Sequence, residues 1–219
     1  MPPQLVAGVL LAAGAGSRLG RPKALVVVGG QSLARRGINL LRDGGADPVI
    51  VVTGATGPDT DVTGLGTGAG GGTGTAGRER GVISVHNPDW PAGMGSSLAA
   101  GLRAVPAECT AAVLALADQP LVGPQAVRRL LAAHAAGASV AVACYEGRPR
   151  NPVLISREHW PEVIALAAGD VGARPFLRTH PDLVTEVECG DTGRPDDVDS
   201  PEDLARVEAL LARTATFPN

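Results

Sequence analysis

Leu5-Val6-Ala7-Gly8-Val9-Leu10-Leu11 runs straight into Ala12-Ala13-Gly14-Ala15-Gly16-Ser17-Arg18-Leu19-Gly20-Arg21-Pro22-Lys23. The first seven residues form an unbroken apolar run, the pattern of a strand buried on both faces, as in a parallel sheet. The glycines at 14, 16 and 20 let the backbone turn sharply and bring N–H groups close to an anion. Arg18, Arg21 and Lys23 add positive charge at the same place. Lys23 is the only lysine of the chain, whereas arginines abound. A lone lysine suggests a site where a compact ammonium suits better than a planar guanidinium.

The rest of the chain alternates strand and helix around this start. A helix is expected from Ser32 to Gly44-Gly45, then strands at 48–53 and 82–85 and a helix from Ser96 to Ala104. The most apolar segment, 111–117, is expected to be the central strand. Beyond it come a helix at 124–136, strands at 139–144 and 152–155, helices at 157–168 and 171–179 and a strand at 183–188. Ser200 as N-cap, Pro201 at the first helical position and Asp203 three residues on announce the last helix. The expectation is an α/β fold: a doubly wound, mainly parallel sheet with helices on both faces and one late antiparallel strand. A single domain spans 1–219, with a flexible Gly/Thr-rich insertion at about 57–80, because Thr63 to Gly77 carries too little apolar surface to offset its ordering entropy.

Composition narrows the function classes. The chain has 219 residues, 44% hydrophobic and 19% charged, which is a size and balance that supports one packed core. A net charge of −3 and 2% aromatic residues argue against a nucleic-acid binder. Cys109, Cys144 and Cys189 are odd in number and widely spaced, as in a reduced cytoplasmic protein. No apolar run has the length of a membrane span, so a cytoplasmic location with no membrane partner is expected. His86, His134, His159 and His180 lack ligand spacing and are expected at the surface or at caps.

The loop is not one of the commoner phosphate motifs. A dinucleotide fingerprint needs G-x-G-x-x-G, but position 19 is Leu, and no acidic ribose ligand lies among Gln31 to Arg36. A Walker loop needs Gly-Lys-Ser/Thr, and Lys23 stands between Pro22 and Ala24. Pro22 also keeps the loop from running smoothly into a helix. Ligands of such sheets bind at the carboxyl ends of the strands. Three marked segments fall there: the glycine loop, Asn87 to Ser97, and Asp118. Asp118 suits a Mg²⁺ ligand on a triphosphate or a polar strand end before a turn, and the cationic loop beside it favours the metal. Asp196, Asp197 and Asp199 precede the last helix; they either complement its dipole or supply a second metal ligand. Ser96 and Ser97 follow Gly93-Met94-Gly95 at a helix start, an anion-binding arrangement or an ordinary N-cap.

Leu11-Ala12-Ala13-Gly14, Ser17-Arg18-Leu19-Gly20 and Pro22-Lys23 together resemble the signature loop of the molybdopterin nucleotidyltransferase family. Asn87-Pro88-Asp89-Trp90, Gly93 to Leu98, Ala117-Asp118-Gln119-Pro120, Gly147 to Leu154, Gly169 to Arg174 and Asp197 to Leu204 are similar to its molybdenum cofactor cytidylyltransferase branch. The resemblance implies transfer of CMP from CTP to the phosphate of the molybdenum-bearing pterin, with release of pyrophosphate. It implies Lys23, Arg18 and Asp118 as catalytic residues. Leu11, Ala12, Ala13, Gly14, Gly16, Ser17, Arg18, Lys23, Asn87, Gly95, Ser96, Ser97 and Asp118 would bind the nucleotide. Asn151, Pro152, Val153 and Arg174 would face the acceptor, although relatives often carry His at the position of Asn151. Asp118 and Asp199 would hold Mg²⁺, with Mn²⁺ as the alternative ion and Asp197 as the alternative ligand. A transient contact with a molybdoenzyme or its chaperone is the one protein partner implied. Two rivals stand beside this reading: the same fold serving another acceptor or nucleotide, and a non-catalytic nucleotide or pterin carrier.

Overall fold

The computed structural model describes residues 5–58, 60–62 and 81–216. Most of the expected 57–80 insertion lies outside the described residues. Strand β1 (Leu5–Leu11) is followed by a short hairpin of β2 (Val27–Val28) and β3 (Gln31–Ser32), then by helix α1 (Leu33–Asp43). Next come β4 (Val49–Thr53), β5 (Val82–His86), α2 (Met94–Ala104), β6 (Cys109–Leu116) and α3 (Pro124–Ala135). The remainder is β7 (Val140–Tyr145), β8 (Arg148–Ser156), α4 (Trp160–Leu166), α5 (Arg174–Thr179), β9 (Val184–Glu188) and α6 (Pro201–Thr216).

Seven strands form one sheet in the order β5-β4-β1-β6-β8-β7-β9. β6, the expected central strand, is the middle one. Only β8 runs antiparallel to its neighbours, pairing that way with both β6 and β7. The doubly wound α/β expectation holds. Two cores sandwich the sheet. On one face Leu10, Val49, Val51 and Val113 pack against Ile38 and Leu41 of α1 and Val127 and Leu130 of α3. On the other, Val9, Ile50, Val52 and Leu114 meet Leu98 and Leu102 of α2, Val163 of α4 and Phe176 of α5. Each such side chain removed from water contributes about 1.5–3 kcal/mol, so the strand ends between the two cores are rigid mounts for loops.

Local chemistry moves several boundaries. β8 is longer than the expected 152–155, because Glu146 and Gly147 take left-handed turn conformations (φ 54° and 70°) and close a hairpin that carries Arg148 and Arg150 into the ladder. The expected helix at 171–179 begins only at Arg174, since Gly172 has a φ of 55° that a helix cannot contain. The expected helix at 157–168 is a 3-10 turn at Arg157–His159 followed by α4. All three cysteines are free and buried. His134 is a correction: it is buried, and its Nδ1 meets the Ala138 carbonyl at 2.9 Å.

Two features aim the N- and C-terminal parts of the chain at one another. Val26, Val28 and Leu33 around the hairpin pack with Val198 and with Val207 of α6 in a third small core. The N-terminus of α6 is closed by a reciprocal cap: Ser200 Oγ accepts from the Asp203 amide at 3.2 Å, and Asp203 Oδ2 accepts from the Ser200 amide at 3.1 Å. Asp203 Oδ2 also accepts from the Asp199 amide at 3.2 Å, which fixes the backbone just before the helix.

Candidate active site

The glycine loop leaves the end of β1 between two ties to its neighbours. The Ala12 amide donates to the Val52 carbonyl at 2.9 Å, and the Ala55 amide donates to the Ala13 carbonyl at 3.1 Å. Gly16 adopts a left-handed conformation (φ 59°, ψ 40°), and a Cβ there would collide with the Arg21 carbonyl oxygen. The loop then closes on itself, the Lys23 amide donating to the Gly14 carbonyl at 3.1 Å. The amides of residues 14–18 donate to no oxygen among the described residues. Of these, the amides of Gly14 and Ala15 belong to residues that border the cleft, where an anion can meet unspent donors.

Lys23 returns over this loop and ends between two carboxylates. Its Nζ donates to Asp118 Oδ2 at 2.6 Å and also to Asp199 Oδ1. Asp118 follows β6 and Asp199 precedes α6, so three distant stretches of chain meet at one charge. The Lys23 and Asp118 side chains are each 20% exposed and Asp199 46%, which leaves the cluster open to a ligand from the cleft. Burial pulls the Lys23 pKa down, but the two carboxylates outweigh it and hold the ammonium above its ordinary 10.5. Asp197 stands beside the pair. Burial pushes its carboxyl above the ordinary 3.8 and the Asp118 charge pushes it further, against the bond from Gln119 Nε2 at 2.9 Å.

The start of α2 differs from the expectation. Its amides are already engaged: Gly95 N–H donates to the Gly169 carbonyl at 2.8 Å and Met94 N–H to Asp170 Oδ1 at 3.2 Å. A Cβ at Gly95 would overlap the Ala167 carbonyl group, so the loop before α5 lies directly on the helix end. That helix end is therefore not an open anion site. Asn87 is buried and works as a brace, its Nδ2 donating to Ser96 Oγ at 2.9 Å and Ser97 Oγ at 3.0 Å while its Oδ1 accepts from the Asp89 amide at 3.0 Å.

These elements border a cleft of about 1540 Å³ at the carboxyl ends of β1 and β6. It brings together Leu11, Ala12, Ala13, Gly14, Lys23, Ser97, Asp118, Asn151, Val153, Arg174 and Asp199 of the expected residues. Asn151 reaches it because β8 is antiparallel to β6, with Leu114 opposite Val153, so the first half of β8 lies at the mouth end of β6. Gly16, Ser17, Arg18, Asn87, Gly95, Ser96 and Pro152 do not line the cleft. Arg18 and Ser17 lie in an exposed 3-10 turn, Gly16 shapes the loop, and Asn87, Gly95 and Ser96 brace the cleft wall from behind. Trp90, Gln119, Arg150, Asp170, Arg178 and Glu186 line it unannounced. Trp90, Gln119, Arg150 and Asp170 lay within stretches of the resemblance but were not singled out as site residues; Arg178 and Glu186 carry no local signal and enter through pairing and packing.

The donor set suits a hard divalent ion. Asp118 and Asp199 present carboxylate oxygens that already converge on one cation, and Mg²⁺ takes one or two carboxylates alongside substrate phosphates. Among the described residues no three His, Cys, Asp or Glu side chains are arranged to enclose an ion. The fit is thus to an ion that arrives with phosphates. No helix among the described residues is long and apolar enough to cross a membrane.

Comparison with known proteins gives a consistent frame. The family described as the MobA-like NTP transferase domain matches residues 8–184. The nicotine blue oxidoreductase of Paenarthrobacter nicotinovorans is 37% identical over 92% of this chain and 96% of its own length. A probable molybdenum cofactor guanylyltransferase of Opitutus terrae is 45% identical over 47 residues, 22% of this chain and 23% of its own. Among solved structures, Rv0371c of Mycobacterium tuberculosis H37Rv in complex with manganese aligns with a TM-score of 0.68 and 25% identity, covering 94% of this chain and 99% of that one.

Proposed function

The chain is a nucleotidyltransferase of the MobA-like NTP transferase family, and we propose that it transfers CMP from CTP to the phosphate of a molybdopterin-type molybdenum cofactor. The observation that carries this reading is the convergence of Lys23, Asp118 and Asp199 beside the free amides of Gly14 and Ala15 on the cleft. The acceptor phosphate is already ionised, so no strong base is required. The difficulty lies in bringing two polyanions together in line and in stabilising pyrophosphate as it leaves. Loop amides and Lys23 bind and orient the triphosphate. Asp118 and Asp199 are the residues that would hold Mg²⁺ or Mn²⁺, an ion that would neutralise phosphate charge. Ser97 and the loop backbone border the nucleotide half, and Asn151, Val153 and Arg174 border the acceptor half.

The cytidylyl choice is supported by Ala12-Ala13-Gly14, since the guanylyl branch tends to carry Ala-Gly-Gly there. The molybdenum acceptor is supported by the motifs in register along the chain and by the similarity to the Opitutus protein. Pyrophosphate release from CTP, GTP, ATP and UTP, with and without molybdopterin and Mg²⁺, tests the whole reading. CTP-specific release that requires the pterin is expected. Release from GTP instead, or with another phosphorylated acceptor, would assign a different substrate to the same site. Tight nucleotide binding without release would make the protein a carrier.

A redox role is the second reading, favoured by the 37% identity to an oxidoreductase over most of the chain. Against it stands the glycine loop, which lacks the dinucleotide fingerprint at Leu19. Oxidation of NADH or NADPH in the same assay separates the two.

A further inference from the structure

One ammonium faces two sets of anionic claims. Lys23 Nζ is engaged by Asp118 Oδ2 at 2.6 Å and by Asp199 Oδ1, while its own loop offers the free amides of Gly14 and Ala15, both on the cleft, for a polyphosphate beside it. The aliphatic stem of Lys23 lies over Gly14, with Cδ 3.5 Å from where a Cβ would stand, so the same side chain borders the amide row. In this arrangement one oxygen of each carboxylate is spent on a monovalent cation built into the chain. A divalent ion arriving alone would meet two carboxylates already neutralised in part, with a positive charge between them.

We propose that Lys23 is a latch on the metal position. In the free protein its ammonium fills the place between Asp118 and Asp199. A polyphosphate laid on the glycine loop draws the ammonium off, and only then are the two carboxylates free for a divalent ion. Nucleotide and metal therefore bind with mutual reinforcement, because each removes a charge that opposes the other. Discrimination against metal in the absence of nucleotide follows from the same contact. An arginine could hold both carboxylates, but its planar fork would release them less readily than a rotatable ammonium. The proposal rests on Asp118 and Asp199 as the metal-holding pair, and not on which nucleotide or acceptor is used.

Two measurements test it without turnover. The first is Mn²⁺ binding with no nucleotide, followed by the EPR signal of the free ion. Wild type and Lys23→Arg are expected to bind weakly, and Lys23→Met at least about tenfold more tightly. Lys23→Met with Asp118→Asn should lose that gain. A folded Lys23→Met with affinity equal to or below wild type overturns the latch, as does a gain that survives Asp118→Asn. The second uses the wild-type protein, so it does not depend on a variant folding. Lys23 is the only lysine, so lysine labelled with ¹⁵N at Nζ yields a single side-chain resonance. Inorganic tripolyphosphate, added without metal, should shift that resonance. A resonance that stays in place while tripolyphosphate binds overturns the proposal. Tripolyphosphate carries no base, so a failure of the CTP assignment leaves this result readable.

Discussion

The Val198 amide donates to the Asp118 carbonyl at 2.8 Å. Asp118 ends the central strand and Val198 belongs to the segment before the last helix, so one main-chain bond sets the spacing of the two carboxylates that face Lys23. Arg194 N–H donating to the Leu121 carbonyl at 3.0 Å repeats the tie four residues earlier.

Gln119 completes that fastening with its side chain. It is 6% exposed, and its Nε2 reaches Asp197 Oδ1 at 2.9 Å and the Pro195 carbonyl at 3.4 Å. Gln119→Leu removes the tie to a carboxylate that solvent can still reach, and is expected to cost about 0.5–1.5 kcal/mol, read by urea unfolding. Gln119→Glu should be worse, because it sets a carboxylate against Asp197. A stability equal to wild type in both variants would dismiss the tie.

On the proposed activity, Lys23→Ala and Asp118→Ala are each expected to lower kcat at least ~100-fold, the scale of losing one preorganised electrostatic group. Lys23→Arg should also be slow, since a fork cannot replace the point charge. Pyrophosphate release is the readout. Near wild-type turnover by Asp118→Ala would remove the metal assignment.

Gly16→Ala combines a left-handed backbone with a collision against the Arg21 carbonyl. The backbone conformation alone costs about 1–2 kcal/mol. The loop is expected to open, raising the KM for nucleotide while kcat falls less. Equilibrium nucleotide binding by the variant and wild type provides the check; equal affinities would mean that the loop amides do not meet the phosphates.

Alkaline stability should follow Cys144. Burial pushes its thiol from 9.0 up to about 11, with the Glu186 carboxylate adding to the shift. Between those values the folded chain keeps a proton that the unfolded chain releases, so stability falls as pH rises through the window. Tyr145, raised from 10.0 to about 12 chiefly by burial, extends the decline. Cys144→Ala should lose less in Tm than wild type between pH 9 and pH 11. Parallel Tm curves for the two proteins would rule the thiol out.

Much of the architecture is legible in local patterns. The apolar run of β1, the central position of β6 and the Ser200-Pro201-Asp203 cap follow from burial, β-branching and capping chemistry that neighbours in sequence supply. Asp118 was legible as a site candidate because it ends the most apolar strand at the same carboxyl end of the sheet as the cationic glycine loop, not from its position at a strand end alone. What local patterns hide is contact between distant parts. Lys23 is 95 residues from Asp118 and 176 from Asp199, and no spacing rule joins them. Arg150 and Glu186 enter the cleft through strand order, and the apparent anion site at Ser96 is closed by a loop more than 70 residues away. Helix ends near Gly172 and Arg157 moved because a turn conformation overrode an amphipathic pattern.

The packing of the hairpin at Val26 and Val28 against Val198 and Val207 also bears on the order of events during synthesis. A nascent chain that has emerged through β9 already holds every strand of the seven-stranded sheet, yet it lacks Asp199 and the helix that seats it. Lys23 at that stage has Asp118 alone. All strands of the sheet are made before the Lys23–Asp118–Asp199 cluster can close, and the last described helix is what seats the third member of that cluster.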